Sequence, residues 1–190
     1  MKIYMLRHSK TKENELFHIQ GRKDYELSPL GISMAKDAAK ELKKLNIKFD
    51  KYYSSPLIRA KKTLEIVKEE LNDEKKYEIS NGLIERDFGS VEGMTLSKET
   101  YDLIFSESAT GFEKRDVIVK RVKDALFEII KNSSENDNIL ISTHAHVIKS
   151  LVISIIPDFR YDERLDNLSL TCFEYSEDTL KLVFFNKKLV

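Results

Sequence analysis

Asn138-Ile139-Leu140-Ile141-Ser142-Thr143 is the stretch on which the fold turns, because its centre is continuously apolar where a half-exposed strand would alternate. An unbroken apolar run of this length is what a strand covered on both faces requires, and such strands belong to parallel sheets flanked by helices. A helix-like segment from about Ala145 to Ile156 follows it, and Pro157 ends that helix by removing a donor and fixing φ. A strand passing straight into a helix is half of a βαβ unit, and the rest of the chain can be read outward from it.

Toward the N-terminus the pattern repeats. Lys2 to Leu6 reads as a strand, and a polar stretch without sustained apolar period runs to about Leu27. Ser28 then offers an N-cap and Pro29 a first helical residue, with Leu30, Met34, Ala38 and Leu42 predicted as the inward stripe of a helix ending near Asn46. Asp50 to Ser54 reads as a second strand. From Pro56 a second helix is predicted, with Leu57, Ala60, Leu64, Val67 and Leu71 inward. Tyr77 to Ser80 is a third strand candidate, and Gly82 to Gly93 is a glycine-punctuated loop. Helical patterns follow at Ser97 to Phe105 and at Val117 to Ile130, where Ile118, Val122, Ala125, Leu126 and Ile129 align. Two β segments, Ser169 to Tyr175 and Thr179 to Phe185, close the chain as a hairpin across Ser176-Glu177-Asp178. The order predicts one α/β domain over residues 1–190, a three-layer sandwich with a mixed, mainly parallel sheet. The stretch from about 93 to 137 is expected to form a helical lid that sets specificity.

Composition narrows the function. The 190 residues carry 32 Lys+Arg against 32 Asp+Glu, a formal net charge of zero. A domain of this size buries roughly 70% of its unfolded surface, so it needs no disulfide or structural metal to fold. Balanced charge argues against bulk electrostatic binding to nucleic acid or an anionic membrane, which needs a cationic excess on some face. Partners are therefore expected in a local site, and oligomeric state is not legible. The single cysteine, Cys172, excludes an intrachain disulfide or a multi-cysteine metal site and points to a reducing, cytoplasmic setting. It falls in a β pattern and reads as a packed thiol. The N-terminal apolar run is broken at once by Arg7 and His8, and no stretch approaches the roughly 20 residues needed to span a bilayer.

In an open α/β sheet ligands bind beyond the carboxyl ends of the strands. Arg7 and His8 follow the first predicted strand, Ser54-Ser55-Pro56-Leu57-Ile58-Arg59 the second, and His144 the buried one. Two guanidiniums and two imidazoles at neighbouring strand ends make a site for a dianionic group: arginine offers a bidentate fork for phosphate oxygens, and imidazole can act as nucleophile or donor. Phosphoryl transfer also needs an acid for the leaving oxygen, which Glu85 on the loop after the third strand could supply, with Asp87 as its rival. His144-Ala145-His146 permits a metal-binding reading by its i, i+2 spacing, but no Asp or Glu stands within five residues of it.

These residues sit in five ordered stretches: Arg7-His8-Ser9-Lys10-Thr11-Lys12-Glu13-Asn14; Gly21-Arg22-Lys23-Asp24-Tyr25-Glu26-Leu27-Ser28-Pro29-Leu30-Gly31; Ser55-Pro56-Leu57-Ile58-Arg59-Ala60-Lys61-Lys62-Thr63; Glu85-Arg86-Asp87-Phe88-Gly89 with Glu92-Gly93; and Ser142-Thr143-His144-Ala145-His146. Together they resemble the motifs of the histidine phosphatase superfamily, the phosphoglycerate-mutase-like branch 1, over most of the chain. The resemblance implies that His8 is a nucleophile forming a phosphohistidine, that Arg7, Arg59 and His144 bind the phosphoryl group, and that Glu85 is the proton donor. It further implies substrate contacts from Asn14, Gln20, Gly21 and the Ala145 amide, and no metal or other cofactor.

Three positions depart from the pattern. Ser9 replaces a glycine and Lys10 an acidic or amide residue, which predicts a tighter and more cationic pocket floor; His146 stands where glycine is usual, either as a substrate contact or facing solvent. The expected function is a metal-independent phosphatase acting on a small phosphorylated metabolite. A cofactor-dependent phosphoglycerate mutase is the alternative, disfavoured because no Arg-Arg pair lies between Glu85 and His144. A noncatalytic phosphate-binding protein is the third possibility, motivated by Ser9 and Lys10.

Overall fold

The computed structural model describes residues 1–190. The stretch Asn138–Thr143 is β4, and it lies inside a six-stranded sheet of order β3-β2-β4-β1-β5-β6. It pairs in parallel with β1 (Lys2–Arg7), from Lys2 opposite Asn138 to Arg7 opposite Thr143, and on its other edge with β2 (Lys51–Ser54). The short β3 (Glu78–Ile79) extends the parallel part beyond β2, while β5 (Ser169–Ser176) and β6 (Thr179–Lys188) add an antiparallel hairpin beyond β1. The sheet is mixed and mainly parallel in its centre. Its most useful consequence is geometric: β1, β4 and β2 run in one direction side by side, so residues following Arg7, Thr143 and Ser54 emerge together.

Alternation along the central strands divides the core in two. Ile3, Met5, Ile139 and Ile141 pack on one face with α5 (Arg115–Lys131) and α6 (Ala145–Ile155). Tyr4, Leu6 and Leu140 pack on the other with α2 (Pro29–Lys44) and α3 (Ile58–Leu71). Cys172 is a buried thiol of this second layer. No helix is long and apolar enough to cross a membrane.

Two expectations need correction. The Ser28 hydroxyl caps α2 by accepting from the Gly31 amide, and Pro29 opens it, but the inward stripe is rotated from the predicted one. Gly31, Ala35, Ala38, Ala39 and Leu42 are buried, whereas Leu30 is 49% exposed. The reason is close approach: a Cβ at Gly31 would run into the Lys10 carbonyl, so the helix buries small residues along most of its inner face, with Leu42 beside them, and turns Leu30 and Ile32 outward. The segment 93–137 is also not one structural unit. Only its first part, with α4 (Lys98–Phe105), stands over the strand ends; α5 is a layer of the sandwich, with Ile118, Val122 and Leu126 in the core. In addition the polar stretch before Leu27 contains a single helical turn, α1 (Lys12–Glu15), held by a capping box between Thr11 and Asn14.

Candidate active site

The sheet's hydrogen-bond ladder extends past the strand ends into the site. The His8 amide donates to the Thr143 carbonyl at 2.9 Å and the Ser55 amide to the Ser142 carbonyl at 3.0 Å, so the backbones of these loops are fixed before any side chain acts. From the far end of the chain Asn167 donates to the His8 carbonyl at 2.9 Å. Above these strand ends opens a cavity of about 850 Å³, whose wall includes Arg7, His8, Asn14, Gln20, Gly21, Arg59, Glu85, Ala145, His146 and Lys149.

His8 is buried, and its Nδ1 lies 2.6 Å from the Ser9 carbonyl oxygen. A carbonyl can only accept, so Nδ1 carries the proton and Nε2 keeps its lone pair. Burial, then the nearby Arg59 and Arg7, push the ring well below the usual histidine range, so it is neutral at physiological pH. A neutral imidazole with a fixed tautomer has a lone pair that can act as a nucleophile. His144 is fully buried and does not border the cavity itself. Its ring centre is 5.2 Å from that of His8, its Nε2 shares a hydrogen bond with the Ser55 hydroxyl at 2.7 Å, and its buried Nδ1 has no partner.

Arg59, at the start of α3, is 1% exposed and spends two guanidinium nitrogens on backbone, reaching the Lys23 carbonyl at 2.8 Å and the Gly21 carbonyl at 2.7 Å. Burial pulls it down to about 10, partly offset by Glu85, which leaves it charged near neutral pH. Gly21 accepts this contact in a left-handed conformation, φ +54°, and a Cβ there would meet the Glu92 carboxylate. Arg7 bonds the Leu165 carbonyl through Nη1, while its Nε is buried without a partner. Neither guanidinium has a carboxylate within ion-pairing distance, so both remain available to an anion.

Glu85 is the buried carboxylate that faces them. Its Oε1 accepts from the Arg86 amide at 2.8 Å, and burial raises its affinity for a proton against the opposing pull of that amide and of Arg59, Arg7 and Arg121. Its carbonyl receives the Arg22 and Arg121 guanidiniums at 3.3 and 3.2 Å, which fix the loop. Asp87, the rival acid, lies off the cavity wall and is engaged with the Gly89 amide and Arg22.

The remaining sequence-derived candidates, Asn14, Gln20, Gly21 and Ala145, all border the cavity, and the Gln20 Oε1 is buried without a partner. Ala145 is the first residue of α6, whose free N-terminal amides suit an anion. The departures resolve unevenly. Ser9 is fully buried and off the wall, its hydroxyl donating to the Gly31 carbonyl at 2.6 Å; it ties β1 to α2 and does not narrow the floor. Lys10 does border the cavity. His146 turns inward, its ring edge-on between Phe88 at 4.8 Å and Tyr161 at 5.0 Å. Missed altogether were Asn167, which no local pattern marks, and Lys149, whose i+4 spacing from Ala145 could have revealed it.

Comparison with known proteins gives the family and fold. Residues 3–188 match the family model of the histidine phosphatase superfamily, branch 1. The chain is 27% identical to the broad-specificity phosphatase YOR283W of Saccharomyces cerevisiae, over 96% of this chain and 83% of that one. It is 28% identical to a 2,3-bisphosphoglycerate-dependent phosphoglycerate mutase of Nitrobacter hamburgensis, over 80% and 79%. Among solved structures, a mutant phosphoserine phosphatase of Entamoeba histolytica in complex with phosphoserine superposes with a TM-score of 0.80 at 29% identity, covering 97% of this chain and 96% of the other.

Proposed function

The chain belongs to branch 1 of the histidine phosphatase superfamily, and from that premise we propose that it is a metal-independent phosphatase hydrolysing a small phosphomonoester through a phosphohistidine on His8. The observation that carries the mechanism is the bond from His8 Nδ1 to the Ser9 carbonyl, which leaves Nε2 as the attacking atom. Nε2 attacks phosphorus while the bond to the leaving oxygen breaks, and protonated Glu85 gives that oxygen its proton. Arg7, Arg59 and the α6 amides neutralise the equatorial oxygens, with His144 beside them. Glu85, now a carboxylate, takes a proton from water; the hydroxide attacks phosphorus, the P–N bond breaks, and inorganic phosphate leaves with His8 and Glu85 restored.

The mutase reading draws on the relatives of that name. Hydrolysis is favoured by the open rim above the site and by the lack of an Arg-Arg pair between Glu85 and His144 that would hold a bisphosphate against water. We place the protein in the cytoplasm, since its one cysteine is a buried core thiol. The test is purified protein with p-nitrophenyl phosphate in EDTA, alongside 3-phosphoglycerate and bisphosphate primer coupled to enolase. Chelator-resistant phosphate release with an acid-labile phosphoenzyme supports the phosphatase. Formation of 2-phosphoglycerate supports the mutase, and silence in both assays and across a phosphoester panel supports a noncatalytic binder.

A further inference from the structure

His144 is fully buried, and the fold treats its two ring nitrogens differently. Nε2 lies 2.7 Å from the Ser55 Oγ, while Nδ1 has no partner. Ser55 is fully buried as well, and its backbone is fixed by the bond from its amide to the Ser142 carbonyl at 3.0 Å. Its Oγ already accepts from the Leu57 amide at 3.3 Å, where α3 begins, and no acceptor other than His144 Nε2 lies within bonding distance of it.

The direction of the bond between Ser55 and His144 follows from what each choice strands. If Nε2 carried the hydrogen and donated it to Ser55, two buried groups would go unpaired: the Ser55 O–H and the bare Nδ1. If the Ser55 hydroxyl donates to a bare Nε2, only the Nδ1 hydrogen lacks a partner. Each buried polar group left unpaired carries its full desolvation cost, so the second arrangement is favoured. A doubly protonated ring would strand the hydroxyl and bury a positive charge besides. Burial first, then Arg59, His8, Arg7 and Arg121, oppose that charge and push the ring well below the usual histidine range.

The sheet order locates the hydrogen that remains. β4 lies between β2 and β1, so the His144 ring has Ser55 on one side and His8 on the other, with the two imidazole centres 5.2 Å apart. Resting on the phosphatase reading above, we propose that Ser55 is a positioning residue: by donating to Nε2 it holds His144 as the neutral Nδ1–H tautomer and reserves that hydrogen for a phosphoryl oxygen. A neutral imidazole N–H donates a hydrogen bond but keeps its proton. His144 therefore binds the group in transfer without competing with Glu85 as the acid.

The tautomer is read from long-range proton–nitrogen correlation of the histidine side chains, where protonated and bare ring nitrogens have well-separated shifts, with His144 assigned by its loss in His144→Gln. Wild type at neutral pH is expected to show Nδ1 protonated and Nε2 bare, both free and with inorganic phosphate bound. Ser55→Ala should move the ring toward Nε2–H. It should also weaken inorganic phosphate about tenfold or more in a titration followed by the same signals, the size of a hydrogen bond to a charged group. Ser55→Thr keeps the hydroxyl and should keep the wild-type tautomer. A serine that merely holds the Leu57 amide would change stability and leave the tautomer as it was. If Ser55→Ala does not fold, the wild-type spectrum decides. Wild-type His144 protonated at Nε2, alone or together with Nδ1, overturns the proposal. So does a Ser55→Ala ring still fixed as Nδ1–H with unchanged phosphate affinity. None of these readouts needs turnover: if the spectra behave as expected but no phosphoester is hydrolysed, the phosphatase reading alone fails.

Discussion

The two ends of the cavity are built on opposite principles. At the inner end His8 and Arg59 are at most 3% exposed and rest on the strand ladder or on backbone carbonyls, with His144 fully buried behind the wall. At the rim Phe17 is 70% exposed, Leu96 51% and Tyr101 37%, all on loops or the short α4. The rim is held as well, but by other means: His18 and Thr95 form an isolated β-bridge, and the Leu96 amide donates to the Phe17 carbonyl at 2.7 Å. Phe17 sits there at φ +57°, a conformation a bulky residue adopts only when its surroundings impose it. The inner end is thus fixed by backbone contacts, and the rim holds apolar surface in water, where the proposed reaction would place the leaving group.

The largest effect that could break this division is at His8. His8→Ala is expected to lower kcat by on the order of 10³-fold or more for every phosphoester alike, because it removes the atom proposed to attack phosphorus. Steady-state phosphate release and trapping of a labelled phosphoenzyme by an alkaline detergent quench, which preserves the P–N bond, measure it. A variant that kept its activity on some substrates would place the nucleophile elsewhere.

Glu85→Gln should produce a smaller and graded loss. With alkyl phosphates, whose leaving oxygens need a proton, kcat should fall by about 10² to 10⁴-fold, and with p-nitrophenyl phosphate considerably less. The pH profile gives an independent reading. The proposed mechanism needs neutral His8 and protonated Glu85. Burial lowers the histidine and raises the carboxyl, so the acid limb lies below the usual histidine range and the alkaline limb above the usual carboxylate range. The pH dependence of kcat/KM on an alkyl phosphate should therefore lose its alkaline limb in Glu85→Gln and keep its acid limb.

The same contrast explains what could be read from the chain alone. The inner end was legible because its residues follow strands, and strands are marked by apolar runs such as Ile139 to Ile141. Ser28-Pro29 likewise announced α2. The face α2 buries was not legible, because periodicity finds large apolar side chains, whereas the contact at Gly31, Ala35 and Ala39 is made by small ones. Asn167 was invisible for a different reason: it reaches His8 across most of the sequence, and nothing local marks it. The lid was overextended because α4 and α5 are both amphipathic, and only the position of the sheet shows that α5 faces the core while α4 stands over the strand ends.

At the rim, losses should fall on binding and vary with the leaving group. Leu96→Ala is expected to raise KM by about three- to tenfold for an ester with an apolar leaving group, in line with one lost apolar contact, and to leave kcat within about twofold. Measuring kcat and KM for p-nitrophenyl phosphate and for a small polar ester decides it; an equal effect on both substrates would mean that the rim shapes the inner end.

The smallest effect is the most discriminating, because stability and binding should move in opposite directions. Phe17→Asn replaces a bulky residue in the left-handed region by one that tolerates it, and the ring lost is mostly in water. Relief of backbone strain should therefore exceed the lost packing, stabilising the fold by about 0.5 kcal/mol in urea unfolding. Removing the ring from the mouth should at the same time raise KM for the aryl ester about two- to threefold. Gly21→Ala makes the reverse test at the inner end: there the left-handed φ and the Glu92 carboxylate leave no room for a Cβ, so stability and activity should fall together. If Phe17→Asn instead destabilised the protein, the rim would be held by packing of the ring, and the strain at Phe17 would be a by-product of that packing with no bearing on what the mouth admits.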